Sequence, residues 1–328
     1  MPSSTRTVSK PQAAPPLVIH RVGEVAPQPP DRLWLIENIW LASGVGILGG
    51  QAKTCKTYLA AEISLAVASG THALGRYPTR MPGPVLFYGA EDSLSALRDR
   101  FDGLATTRGC DLDHLAVFLI DVPVLRLDRD QDLDRLRAAI GQCRPRLLVL
   151  DPFVRLVGNV DENSAADVSA VLGSLRAIQR DHDVAILLVH HARKSPAAHP
   201  SQAYRGSTDF SAWSDSNLFL TRSAQRLVLH IEHRSAPSPE PIHLKLESEP
   251  APHLSPVDKD PAPAVPAGPD PLLVEIRHQL ETSPRPLTTI ELRDRLRRRK
   301  SDVVNALEQL HAQHAIVRTI NGWRLAHQ

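Results

Sequence analysis

The stretch Val45-Gly46-Ile47-Leu48-Gly49-Gly50-Gln51-Ala52-Lys53-Thr54-Cys55-Lys56-Thr57 decides how this chain is read. A short apolar run meets a glycine-rich turn, and Leu59, Ile63 and Ala66 then recur at helical spacing. Strand, glycine turn and helix in that order are the context of the phosphate-loop motif G-x-x-x-x-G-K-[ST]. In such a loop, successive backbone N–H groups and the positive end of the helix cradle phosphate oxygens. Gly49, Gly50, Gln51, Ala52, Lys53, Thr54, Cys55, Lys56 and Thr57 are therefore expected to bind the phosphates of ATP. Lys56 would reach the β- and γ-phosphates, and the Thr57 hydroxyl would ligate Mg²⁺.

Cys55 stands where the motif has its second glycine. A Cβ there restricts the backbone and crowds the phosphate, so the same stretch also reads as an ordinary turn or as a loop that has lost its nucleotide. Cys55 lies at a helix start between Lys53 and Lys56, and oxidation or alkylation of its thiol is expected to block ATP.

Moving outward, Val85-Leu86-Phe87-Tyr88, Leu147-Leu148-Val149-Leu150 and Val184 to Val189 are further unbroken apolar runs. Unbroken runs suit strands covered on both faces, hence a parallel sheet. Leu133-Leu136-Ile140 and Val168-Val171-Leu172-Leu175-Ile178 have helical spacing between them. The series predicts an α/β domain with a central parallel sheet and helices on its faces. Three later runs, Leu218 to Leu220, Leu227 to Glu232 and Ile242 to Leu246, are expected to extend it as an antiparallel edge.

Polar residues at the ends of these runs are the candidate chemistry. Gly89-Ala90-Glu91-Asp92 closes the second run, where Glu91 could orient an attacking water and Asp92 could instead cap the next helix. Asp151, after four apolar residues, would hold Mg²⁺ through a water. His190 and His191 end the fourth run. A polar residue there could sense the γ-phosphate or simply make ordinary hydrogen bonds at a strand end, whereas a metal reading lacks further ligands at a suitable spacing. In Tyr204-Arg205-Gly206-Ser207-Thr208-Asp209, Arg205 could reach a neighbouring subunit's nucleotide or simply brace its own loop.

The order GGQAKTCKT, YGAEDS, LLVLDPF, LLVHHARK and YRGSTDFSAWSDS resembles RecA-like P-loop ATPases of the RepA type, a group that includes hexameric plasmid-replication helicases. The resemblance spans residues 32–248. It implies a RecA-like core with ATP and Mg²⁺ bound between subunits, often in a ring and here expected as a hexamer. Lys56 and Thr57 take the phosphate-loop roles, Glu91 the catalytic carboxylate, Asp151 the Mg²⁺ role, His190 the sensor and Arg205 the arginine finger. The segment from Trp34 to Trp40 resembles the family's lead-in, packing on a neighbour, although core packing would explain it equally.

The chain has 328 residues with 38 Lys and Arg against 36 Asp and Glu, for a formal charge of +2. This balance excludes a polycation and confines any nucleic-acid contact to a local patch. Three scattered cysteines exclude a disulfide scaffold and suggest a reducing compartment, so a cytoplasmic protein is expected. No apolar run nears the ~18 residues of a membrane span, and no signal peptide or membrane partner is expected. Seven of the first 31 residues are Pro, and eight prolines lie between Pro250 and Pro271. Residues 1–31 therefore read as a disordered arm and 249–270 as a linker, leaving domains at 32–248 and 271–328.

In the second domain Leu272/Leu273, Ile276 and Leu280 form one apolar helical face, and Thr288-Thr289-Ile290-Glu291 is a capping box. Ser301 is expected to cap a third helix bearing Val303, Leu307 and Leu310. Ile316 to Ile320 and Trp323 to Ala326 flank Asn321-Gly322 as a hairpin. Three helices and a hairpin resemble a winged helix-turn-helix. Arg293, Arg295, Arg297, Arg298, Arg299 and Lys300 form a basic run beside the third helix, on which Asn305, Glu308, Gln309 and Gln313 are candidate base readers. DNA is the expected partner, although such a unit can also bind protein. Two functions remain open: an ATP-hydrolysing RecA-like motor acting on DNA, such as a replicative helicase of a plasmid, phage or mobile element, or a non-catalytic regulator whose ATP state gates DNA binding.

Overall fold

A computed structural model describes residues 18–27, 29, 32–158, 165–191, 208–223, 226–258, 271–296, 298, 300–312, 315–319 and 321–326. The chain divides into two compact units, one ending at Asp258 and one beginning at Lys259.

The first unit is built on a nine-stranded sheet. Its strands in chain order are β3 (Val45–Gly50), β4 (Val85–Gly89), β5 (Val117–Leu119), β6 (Leu147–Asp151), β7 (Ala185–His191), β8 (Ser216–Ser223), β9 (Arg226–His233), β10 (Ile242–Glu247) and β11 (His253–Pro256). They lie in the order β11-β10-β9-β8-β3-β7-β6-β4-β5. Pairing from β5 through to β8 is parallel, and it becomes antiparallel only between β8 and β9. The glycine-loop strand β3 is thus separated from the acidic strand β6 by β7, the order of a RecA-like P-loop NTPase.

Each strand alternates its side chains between two cores. Leu48, Phe87, Val149 and Val189 face one core together with α1 (Lys56–Ser69) and α2 (Leu94–Arg108). Ile47, Tyr88, Leu150 and Leu188 face the other, against α3 (Asp130–Cys143), α4 (Phe153–Leu156), α5 (Ala165–His182) and α6 (Thr208–Trp213). Both faces are covered, which is why the central strands read as unbroken apolar runs.

Two expectations at the sheet's edge need correction. Leu218 to Leu220 belong to a strand parallel to β3, so the antiparallel edge starts one strand later. The chain reaches β8 through α6 from the end of β7, which returns it to the sheet in the parallel sense. The linker expected from residue 249 also begins too early, because His253–Pro256 pairs with β10 and buries Leu254. As an edge strand among the described residues, β11 tolerates Pro256.

The lead-in forms a small hairpin, β1 (Trp34–Ile36) with β2 (Trp40–Leu41). Trp40 is fully buried, and its Nε1 donates to the Gly44 carbonyl at 3.1 Å, so this segment packs within its own chain. Of the expected N-terminal arm, residues 1–17 lie outside the described residues, and residues 18–27 are exposed.

The second unit has its own core of Leu273, Ile276, Leu280, Leu292, Val303, Leu307 and Ile316. These come from α7 (Pro271–Glu281), α8 (Thr289–Leu296), α9 (Lys300–Ala312) and the hairpin β12 (Ile316–Thr319) and β13 (Gly322–Leu325). The capping box forms as read, with Thr288 N–H donating to Glu291 at 2.8 Å and Glu291 N–H donating to the Thr288 hydroxyl at 3.3 Å. Helix α9 begins at Lys300, so Ser301 lies within it and does not cap it. Thr319 pairs with Gly322, which moves the hairpin turn one residue before the expected Asn321-Gly322. Arg297, Arg299 and Gln313 lie outside the described residues.

Candidate functional site

The ends of β3, β4, β6 and β7 gather around a cleft of about 370 Å³. Its walls include Lys56, Thr57, Glu91, Asp92, Asp151 and His191. The site thus lies at the carboxyl ends of parallel strands, where open α/β sheets place their ligands.

Gly50 must be glycine for lack of room, because a Cβ there would stand 2.5 Å from the Leu220 carbonyl oxygen and 2.9 Å from the Thr54 hydroxyl. Lys53 and Cys55 both have left-handed backbones, at φ +62° and +63°. Cys55 therefore adopts the conformation that the motif's glycine would take freely, at a cost of about 1 kcal/mol. Lys56 is buried, and its ammonium donates to the carbonyls of Gly50 at 3.1 Å and Gln51 at 2.8 Å. Burial lowers its pKa, and the Asp151 carboxylate opposes that shift.

Asp151 ends β6 with 5% of its surface exposed, and its Oδ2 has no hydrogen-bond partner among the described residues. Desolvation raises its pKa to about 6 against the pull of a hydrogen bond from Thr57 and the nearby charge of Lys56. A buried carboxylate oxygen left unsatisfied beside a threonine hydroxyl is a donor set suited to a hard divalent cation, and Mg²⁺ fits it.

The β4 end is tied to β6 by Ala90 N–H donating to the Asp151 carbonyl at 2.7 Å. Glu91 follows, and its Oε1 accepts from Arg155 Nε of α4 at 2.9 Å. Asp92 does not cap α2. Ser93 does so, accepting from Ala96 N–H at 3.2 Å. Asp92 instead accepts from Arg100 at 2.7 Å, and that guanidinium lies 4.7 Å from the centre of the Tyr58 ring.

His190, the expected sensor, is not among the residues lining the cleft, and His191 is. His190 continues the Ile186 and Leu188 face, stacks on Phe210 at 4.7 Å and meets Phe153 edge-on. His191 continues the Leu187 and Val189 face and lines the cleft. Burial and the nearby Lys56 charge lower its pKa, while Glu91 raises it. Adjacent residues of a strand point to opposite faces, so the pair had to divide. The sequence alone did not say which face carries the phosphate loop. Arg155 and Arg100 were also missed, because each belongs to a helix with no motif of its own. Arg205 lies outside the described residues, and among these no cluster of His, Cys, Asp or Glu is arranged to hold a metal by itself.

Fold and site together define a RecA-like P-loop NTPase. A family model described as an AAA domain (AAA_25) matches residues 9–197, more than half of the chain. The chain belongs to that family of AAA domains. It is also similar to the KaiC-like protein PH0186 from Pyrococcus horikoshii OT3, with 16% identity, a TM-score of 0.47, and 68% of this chain and 94% of that one covered. A second similar structure is that of a DnaB-like replicative helicase, described with its interactions with primase, at 12% identity, a TM-score of 0.49 and coverage of 63% and 56%. A third is the RadB recombinase, with 17% identity, a TM-score of 0.48 and coverage of 66% and 92%. Among the described residues no helix is long and apolar enough to cross a membrane.

Proposed function

We propose that this protein binds and hydrolyses ATP with Mg²⁺, and that it is a cytoplasmic RecA-like motor of the RepA type acting on DNA. The observation that carries the reading is the buried Asp151 oxygen, unsatisfied among the described residues, in a cleft that Lys56, Thr57 and Glu91 also line.

The backbone of residues 49–55 and Lys56 would hold the phosphates, and Thr57 with Asp151 would hold Mg²⁺. Bound there, Mg²⁺ would neutralise charge on the β- and γ-phosphates. Glu91 would accept a proton from water as the water oxygen bonds to the γ-phosphorus and the bond to the β-bridging oxygen breaks. His191, rather than His190, would contact the γ-phosphate side of the site. Arg205 from a neighbouring subunit would stabilise the transferring group, which requires ATP sites between subunits and favours a hexameric ring. The second unit would bind DNA as a winged helix joined by the Pro-rich segment, and the setting would be replication of a plasmid, phage or mobile element, with strand unwinding as its work.

A second reading is favoured by specific contacts: Lys56 is held by its own loop, Cys55 replaces glycine, and Glu91 is engaged by Arg155. On that reading the protein is a non-catalytic regulator gated by ATP. Steady-state ATPase activity with and without single-stranded DNA, beside Lys56→Ala and Glu91→Gln, separates the two. The motor loses turnover in both variants, and Glu91→Gln retains nucleotide. Tight binding without turnover in the unaltered protein supports the regulator, and no nucleotide binding at all refutes both.

A further inference from the structure

Among the described residues, two arginines hold acids of the cleft, on different terms. Arg100 keeps only 14% of its side chain exposed, bonds Asp92 at 2.7 Å and lies over the Tyr58 ring, so it belongs to the wall. Arg155 is 62% exposed and bonds Glu91, itself 47% exposed, through Nε at 2.9 Å. An ion pair this open to water is weak, and a stronger anion can displace its carboxylate.

The backbone that carries Arg155 does not share this freedom. Helix α4 follows Asp151 and Pro152 directly and is anchored by Phe153 and Leu156, both fully buried. The Arg155 N–H donates to the Pro152 carbonyl at 3.1 Å, and the Arg155 carbonyl accepts from Arg126 Nη1 at 2.9 Å. Gly89 of β4 pairs with Asp151 of β6, so Glu91 and Arg155 leave the sheet from one seam. A fixed base with a free side chain suits a group that moves between two nearby partners.

The second partner is set by the cleft. Glu91 lines it together with Lys56 and His191. The Arg155 charge is felt there too: burial and then Lys56 lower the His191 pKa, Glu91 opposes them, and Arg155 adds to the lowering. A terminal phosphate held by Lys56 would carry more negative charge than a carboxylate, and a guanidinium can meet it with two parallel N–H bonds. Glu91 takes only one bond from Arg155 among the described residues.

We propose that Arg155 changes partner when ATP binds, leaving Glu91 for the γ-phosphate and freeing that carboxylate to receive the proton of the attacking water. The proposal rests on the nucleotide-binding reading shared by both functions above. It makes Arg155 the group that tells ATP from ADP, since ADP lacks the phosphate that draws it away. A ligand drives such an exchange only by the difference in its affinity for the two arrangements, so the exchange is measurable as binding.

The test is equilibrium titration of the full chain with fluorescent ADP and fluorescent ATPγS in excess Mg²⁺. Arg155→Ala is expected to weaken ATPγS binding about tenfold and to leave ADP within about twofold. The side chain is largely exposed, so its truncation leaves the core in place, and ADP affinity reports an intact loop. Glu91→Gln then shows whether the partner changes. It removes the competing carboxylate, so it should tighten ATPγS binding about threefold more in the Arg155 chain than in the Arg155→Ala chain. Equal or greater tightening in the Arg155→Ala chain means that Arg155 stays on Glu91 as a fixed shield, which overturns the proposal. Equal losses of ADP and ATPγS in Arg155→Ala overturn it as well, as does an unchanged ATPγS affinity. An unaltered chain that binds neither nucleotide overturns the nucleotide reading itself, a separate result.

Discussion

At the scale of single residues, Asp151 and Cys55 carry the sharpest consequences. Asp151 titrates near 6 in the folded chain against an ordinary 3.8, so between those values the folded state holds a proton that the unfolded chain has released. Its contribution to stability is full below about pH 4 and is lost as pH rises through about 6, an effect of order 3 kcal/mol. Asp151→Asn is therefore expected to stabilise the nucleotide-free protein at pH 8 by about 1–3 kcal/mol, and to leave stability near pH 4 unchanged. Urea unfolding at the two pH values measures this, and the same variant should lose Mg²⁺-dependent nucleotide binding. Cys55→Gly should relieve the left-handed strain at φ +63° and raise stability by up to about 1 kcal/mol, visible as a higher Tm.

Among the secondary elements, β7 and α8 make separable predictions. His190 and His191 are neighbours with different jobs because the strand turns them to opposite faces. His190→Ala should cost about 1–2 kcal/mol through lost contact with Phe210 and Phe153 while leaving nucleotide affinity alone. His191→Ala should do the reverse, leaving the melting curve in place and lowering turnover. Differential scanning calorimetry beside steady-state ATPase assays distinguishes the two variants. In α8 the Thr288–Glu291 capping box satisfies N–H groups that would otherwise have no partner in the helix. Thr288→Ala is expected to destabilise the second unit by about 1 kcal/mol, read from its own thermal transition.

At the scale of the whole molecule, the second unit's having a core of its own implies that the units can be parted. A chain ending after Asp258 should keep nucleotide binding and lose nucleic-acid binding. A chain ending at residue 248, the boundary suggested by proline content, removes β11 with its buried Leu254 and uncovers the core around Leu244. It is expected to be less stable than the longer fragment by about 2–5 kcal/mol, in line with the loss of a buried leucine. Guanidinium unfolding of the two fragments decides between the boundaries.

The molecule's sequence alone determined the parallel α/β core, the glycine turn between β3 and α1, the placing of Glu91 and Asp151 at strand ends, and the capped helix of the second unit. These are local signals: unbroken apolar runs, a glycine turn before a lysine, a carboxylate at a strand end, a hydroxyl three residues before a glutamate. Only the tertiary structure decided which histidine faces the cleft, that Arg155 reaches Glu91, that β8 runs parallel to β3, and that His253–Pro256 closes the sheet. Each of these depends on strand order or on which face α1 covers. A residue's neighbours along the chain carry no record of either, because both are set by segments packed against it from far away in sequence.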